Sequence, residues 1–117
     1  MKPLTELAGR NQLIANHKTN HASRMLDGSV TDFSPVVKLF VCVGGSATWL
    51  LTELDPDTNE AFGLCDLGHG YPEIGYVDIT GLVESLGWRL ERDRWFTPKK
   101  TLSGYAQDAR NAQKITA

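Results

Sequence analysis

The sequence predicts a single α+β domain built on an antiparallel sheet, and three observations carry that expectation. A β-branched, nearly all-apolar run at Val36–Val43 opens a series of four strand-like segments. The links between those segments are short and rich in Gly, Pro, Asp and Asn, whereas a parallel crossover needs a dozen or more residues. Helical patterns flank the series and interrupt it once. The expected order is helix, four-strand meander, short helix, fifth strand, helix. A chain of 117 residues is long enough for one core, and residues 1–117 are read as one domain. Within it, 1–35 form a helix and irregular connector, 36–112 the core, and 113–117 a frayed tail.

Each element has its own signal. Leu4, Leu7, Ala8, Ile14 and Ala15 fit one face of an N-terminal helix, although Asn11 shares that face, Leu13 falls off it and Gly9 sits mid-segment. Asn16 to Pro35 is polar and contains Asp27-Gly28-Ser29, so it reads as a connector with one helical turn around Ala22–Leu26. The Val36–Val43 run has the composition of an interior strand, and Gly44-Gly45-Ser46 supplies a hairpin turn. Ala47–Leu54 is the second strand, and Asp55-Pro56-Asp57-Thr58-Asn59-Glu60 a dense turn signal. Ala61–Leu67 is the third strand, Gly68-His69-Gly70-Tyr71-Pro72 a loop, and Glu73–Ile79 the fourth strand. Thr80 is placed to cap a short helix over Gly81–Leu86, which Gly87 ends in the left-handed conformation. Trp88–Arg92 alternates like a fifth strand, with Trp95-Phe96 continuing it after a turn at Asp93. Leu102, Tyr105, Ala106 and Ala109 mark a C-terminal amphipathic helix.

Charge is segregated along the chain. The net charge is −2, but no Lys or Arg occurs from Leu39 to Trp88, a stretch that holds eight carboxylates. Residues 1–38 carry a net +2 and residues 89–117 a net +4. The plain explanation is self-complementarity, with basic ends folding against an acidic centre. The sharper one is an acidic surface presented to a basic partner. No secretory signal is visible at the N-terminus and the longest apolar run is too short for a bilayer, so a cytoplasmic protein with reduced Cys42 and Cys65 is expected.

Several constellations bear on chemistry. His17 and His21 stand four apart, but Lys18 occupies the place where a zinc protease needs its Glu base. Cys65 and His69 could form a nucleophile and base, yet Cys65 lies in an apolar strand with no orienting group placed by sequence. Asp55, Asp57 and Asn59 match the first three ligand positions of a calcium loop, with Asp66 at the twelfth, but Glu60 stands where the sharp turn needs Gly. Glu53, Asp66 and Glu73 lie at or near strand ends. Pairing Leu54 with Ala61 sets Glu53 and Asp66 roughly 13 Å apart, and pairing Leu67 with Glu73 turns Asp66 and Glu73 to opposite faces unless a bulge intervenes. Arg89, Arg92, Arg94, Lys99 and Lys100, interleaved with Trp88, Trp95 and Phe96, could grip nucleic acid or simply guard an edge strand. The glycine pairs match no phosphate-loop spacing.

The central residues also carry a resemblance. Lys38-Leu39-Phe40, Ala47-Thr48-Trp49-Leu50-Leu51-Thr52-Glu53-Leu54-Asp55, Phe62-Gly63-Leu64-Cys65-Asp66-Leu67-Gly68 and Pro72-Glu73-Ile74-Gly75-Tyr76-Val77, with Leu90-Glu91-Arg92-Asp93 and Leu102-Ser103, together resemble the bacterial family labelled domain of unknown function 2958. The similarity runs from about Val36 to Ala109, and the chain departs from it at His69 and Trp95. The resemblance implies an accessory protein of plasmids and integrated mobile elements, near antirestriction-type genes, without an activity to carry over.

The functional expectation is therefore a non-enzymatic domain that binds a basic protein through its acidic centre. Its surface would comprise Glu53, Asp55, Asp57, Glu60, Asp66 and Glu73, with Trp49, Tyr71 or Tyr76 as apolar anchors. No cofactor or metal is called for, and no membrane partner. The competing readings are a small hydrolase or metal-dependent enzyme using Asp66, Glu73 and His69, and a nucleic-acid binder using the basic C-terminal third.

Overall fold

The computed structural model describes residues 7–117, with side chains from Gly9 onward. Leu4 of the expected helix face lies outside the described residues. The elements are α1 (Leu7–Leu26), β1 (Val37–Val41), β2 (Ala47–Asp55), β3 (Glu60–Asp66), β4 (Glu73–Asp78), α2 (Ile79–Leu86), a 3-10 turn (Gly87–Arg89), β5 (Glu91–Arg92) and α3 (Leu102–Ala112). The five strands form one antiparallel sheet in the order β4-β3-β2-β1-β5. The α+β architecture and the four-strand meander stand as the sequence predicts.

The meander does not continue into β5. After β4 the chain passes through α2 and returns to pair β5 with β1, Leu39 opposite Arg92 and Phe40 opposite Glu91. The fifth strand thus lies at the opposite edge from the fourth. It is also shorter than expected: Trp88 and Arg89 belong to the 3-10 turn, and Trp95-Phe96 extends no strand.

Helices cover both faces of the sheet. Leu13 and Ile14 of α1, with Ile79, Leu82, Val83 and Leu86 of α2, pack on Val37, Leu39, Val41, Trp49, Leu51 and Ala61. Leu102, Tyr105, Ala106 and Ala109 of α3 pack on Leu50, Leu64 and Phe62. Alternate residues of β2 and β3 therefore serve opposite cores, which explains why those strands read as nearly continuous apolar runs, whereas β1 gives only Val37, Leu39 and Val41 to the side of α1 and α2. At Gly63 a Cβ would lie 2.0 Å from the Leu50 carbonyl oxygen, so only glycine admits β2 and β3 to this approach.

Three expectations change at the helices. α1 runs eleven residues past Ala15, and its inward positions are Gly9, Leu13, Asn16 and Asn20, while Asn11 and Ala15 face solvent. The second half of that face is amide rather than apolar, so hydrophobic periodicity ends too early. Thr80 lies inside α2; its cap position is Asp78, and Thr80 Oγ1 accepts instead from Asn59 Nδ2 at 3.0 Å. Gly87 has φ +53 as a helix stop requires, but its ψ of −126 departs from the left-handed helical well and turns the chain into the 3-10 turn.

The tail after Ala112 is tied down rather than frayed. Gln113 takes a left-handed cap at φ +62, Ile115 packs against the α3 core, and the Ile115 amide donates to Asp66 Oδ2 at 2.9 Å. Lys38 Nζ donates to the Ala117 carbonyl at 2.7 Å.

Candidate functional site

The carboxylates of the central stretch separate into two groups with different fates. Glu53 and Asp66 are buried, as is Trp49, so none of the three belongs to a surface. Glu53 Oε2 accepts from Asn20 Nδ2 of α1 at 2.9 Å. Asp66 accepts two backbone amides, Gly68 through Oδ1 and Ile115 through Oδ2, each at 2.9 Å. Trp49 is 3 % exposed within the core beneath α1 and α2. These residues hold the fold together. Burial of Trp49 and Glu53 follows from β2 being the central strand, and that of Asp66 on β3 accompanies its contact with the C-terminal tail at Ile115, placements that sequence near a turn does not disclose.

The second group remains outside. Asp55 pairs across the sheet with Glu60, and Glu60 with Asp78, so three carboxylates stand in one row over β2, β3 and β4. Directly opposed like charges destabilise a sheet. Asp55 is half-buried, with His17 Nε2 at 3.8 Å from its Oδ2. Asp57, Glu60, Glu73, Asp78 and Glu84 are exposed, and among the described residues none has a cation within 4.0 Å. The turn itself is built from its own residues: Asp55 Oδ1 accepts the Asp57 amide at 2.9 Å, and Asn59 sits at φ +59.

Beside that row runs an exposed strip. β4 is an edge strand, and its Ile74 and Tyr76 side chains are 42 % and 61 % exposed. The Tyr76 ring rests on Phe62 with centroids 5.1 Å apart. Tyr71, in the preceding loop, is exposed and shares a shallow depression with Glu73, Arg110 and Gln113. Ile74 carries no signal of exposure in the sequence, since an apolar residue in a strand ordinarily points inward.

The groups proposed for hydrolysis are not brought together. Cys65 pairs with Glu73, so Asp66 and Glu73 project from opposite faces, and His69 stands exposed in the loop. A bulge does occur, but in β2, between Leu51 and Glu53, where it leaves the β3–β4 register unbroken. That bulge moves Asp66 opposite Thr48 rather than Trp49, with Glu53 opposite Phe62, four residues from Asp66 along β3. Burial, reinforced by the Glu73 charge, pushes the Cys65 thiol up to about 11, the reverse of what a nucleophile needs. His17 and His21 stack on α1 at 5.9 Å between centroids. Among the described residues no three His, Cys, Asp or Glu side chains converge in metal-binding geometry.

The basic segment occupies the opposite edge. Lys38, Arg92, Arg94, Phe40 and Trp95 line an open groove of about 560 Å³, together with Asp93, whose carboxylate lies 3.7 Å from Lys38 Nζ. Trp95 is 91 % exposed. Lys100 is ion-paired with Asp108, and Trp88 is exposed in the 3-10 turn.

A five-stranded antiparallel sheet between helices, with an acidic edge and a basic one, defines a small α+β domain whose polar chemistry lies on its surface. The chain belongs to the DUF2958 family of proteins of unknown function, whose model matches residues 4–116. No match was found among curated proteins or among solved structures.

Proposed function

We propose that this domain is a non-enzymatic interaction module, an accessory protein of a bacterial mobile element that takes a basic protein partner at its acidic edge. The observation that carries the reading is the pairing of β5 with β1: it draws Arg92 and Arg94 to the edge farthest from β4 and leaves Glu60 and Asp78 exposed. A protein that needed its acidic centre only for internal neutralisation would set its cations there. The free thiols Cys42 and Cys65 suit the reducing cytoplasm, and no helix among the described residues is long and apolar enough to cross a membrane. The surface comprises Asp57, Glu60, Glu73 and Asp78 with Tyr71 and Tyr76. A triple variant, Asp57→Lys, Glu60→Lys and Asp78→Lys, is expected to lose the proteins that the wild-type chain captures in a quantitative pull-down. Equal capture by both would end the proposal.

The groove at the other edge supports a second reading, single-stranded nucleic-acid binding, because a fully open Trp95 stands beside Lys38, Arg92 and Arg94. It requires a salt-sensitive mobility shift of an oligonucleotide that Trp95→Ala weakens several-fold. No shift at low salt would dismiss it.

A further inference from the structure

The acidic edge is also an open β-edge, and its geometry points to how a partner is held. We infer that β4 accepts an extended segment of the basic partner as an additional strand of the sheet; this rests on the acidic-edge reading and specifies its mode.

The direction of the free backbone groups follows from one hydrogen bond. The Ile79 amide donates to the Asn59 carbonyl at 3.1 Å, one step beyond the Glu60–Asp78 pair. In an antiparallel ladder, hydrogen-bonded and non-bonded pairs alternate. The Ala61–Val77, Gly63–Gly75 and Cys65–Glu73 pairs are then the bonded ones, and the amides and carbonyls of Ile74 and Tyr76 point away from β3. β4 is terminal in the strand order, so among the described residues those groups meet no further strand.

Sheet edges are ordinarily protected by lysine, by proline within the strand, by bulges or by shortness. β5 is two residues long and flanked by charge of both signs. β4 has six residues, an unbroken register and no lysine, and its proline precedes the strand at Pro72. Its exposed Ile74 and Tyr76 fall on the same face as Asp78 and Glu60, since alternate strand residues share a face and paired residues do too. An added strand would lay apolar side chains beside Ile74 and Tyr76 and a cation beside Asp78 and Glu60.

Charge decides among occupants. A second copy would bring a strand of the same composition, so pairing β4 with itself gathers Glu73 and Asp78 of both copies along one seam with no cation in either strand. An extended segment alternating apolar and basic residues meets the same edge with complementary charge. Main-chain bonds supply affinity in strand addition, and alternate side chains supply selectivity.

The test is amide exchange of the full chain, followed by NMR with and without an alternating lysine–valine peptide. In the free protein the Gly75 and Val77 amides should exchange slowly and those of Ile74 and Tyr76 fast. Saturating peptide should slow Ile74 and Tyr76 by about tenfold or more. Ile74→Ala should retain Tyr76 protection, whereas Ile74→Pro, which removes one outward amide without touching a β3 bond, should weaken the peptide several-fold. Absence of binding overturns the inference, as does binding that leaves both amides unprotected. If the charge-reversal variant still loses its pull-down partners in that case, the acidic-edge reading survives without strand addition. Protection that rises with protein concentration alone would instead name a second copy as the occupant and overturn the assignment.

Discussion

The Glu53 carboxylate is 4 % exposed and receives an amide hydrogen from Asn20 Nδ2, while Asn20 also donates to the Thr31 carbonyl and accepts the Thr31 amide. One amide side chain thus ties α1 to the central strand and to the connector. A buried carboxylate that loses its donor bears its full desolvation cost. Asn20→Ala should therefore destabilise the domain by about 3 kcal/mol in urea unfolding, and a loss under about 1 kcal/mol would show that Glu53 is otherwise satisfied. Cys65 offers a pH test at the same scale. Its thiol rises from the ordinary 9.0 to about 11 through burial first and the Glu73 charge second. The folded state holds the proton that the unfolded chain releases, so the stability it contributes is present below pH 9.0 and is lost as pH rises toward about 11. Cys65→Ala should flatten stability across that window, and at pH 8 an alkylating reagent should modify exposed Cys42 well before Cys65. Equal modification rates would contradict the burial.

At the scale of elements, α3 is capped from a distance. Its N-cap residue Thr101 makes no side-chain cap bond to the helix; Asp32 Oδ1 accepts the Ser103 amide at 3.1 Å, Asp32 Oδ2 accepts the Ser103 hydroxyl, and the Phe33 carbonyl accepts the Leu102 amide at 2.9 Å. A carboxylate at a helix N-terminus satisfies orphan amides and complements the helix dipole. Partial burial pushes the Asp32 carboxyl up, but the bonds from Ser103 and Thr101 outweigh it and leave the group below its usual 3.8. The cap therefore stabilises above that value and is lost as pH falls through the depressed one. Asp32→Ala should lower stability by about 1 kcal/mol at neutral pH, and the gap from wild type should close in acid. A gap that stayed constant with pH would refute the ionic contribution. Strand identities were legible at this scale because β-branched runs and Asp-Pro or Gly-Gly turns are local signals. The length of α1 was not legible, since Asn16 and Asn20 are inward only because Thr52 and Glu53 await them across the packing interface. Nor was the β2 bulge between Leu51 and Glu53, whose extra residue sets Glu53 opposite Phe62 and Asp66 opposite Thr48.

For the whole molecule, the crossover from β4 to β5 governs charge. It sets Arg92 and Arg94 at the edge opposite Glu60 and Asp78, so these charges do not neutralise one another across the sheet, while Arg110 of α3 stands near Glu73. Association of the lysine–valine peptide should accordingly slow several-fold between low and physiological salt in stopped-flow measurements. A rate indifferent to ionic strength would leave the acidic edge without a steering role. The sequence by itself determined the α+β class, the strand order of the meander and the cation-free centre, because hydropathy period, turn chemistry and charge are carried by neighbouring residues. Only the tertiary structure decided which carboxylates are surface groups. Glu53 and Asp66 are drawn inward by donors on α1 and in the C-terminal tail, while Glu60 and Asp78 are left outside by an edge strand, and both outcomes depend on contacts between residues far apart in the chain.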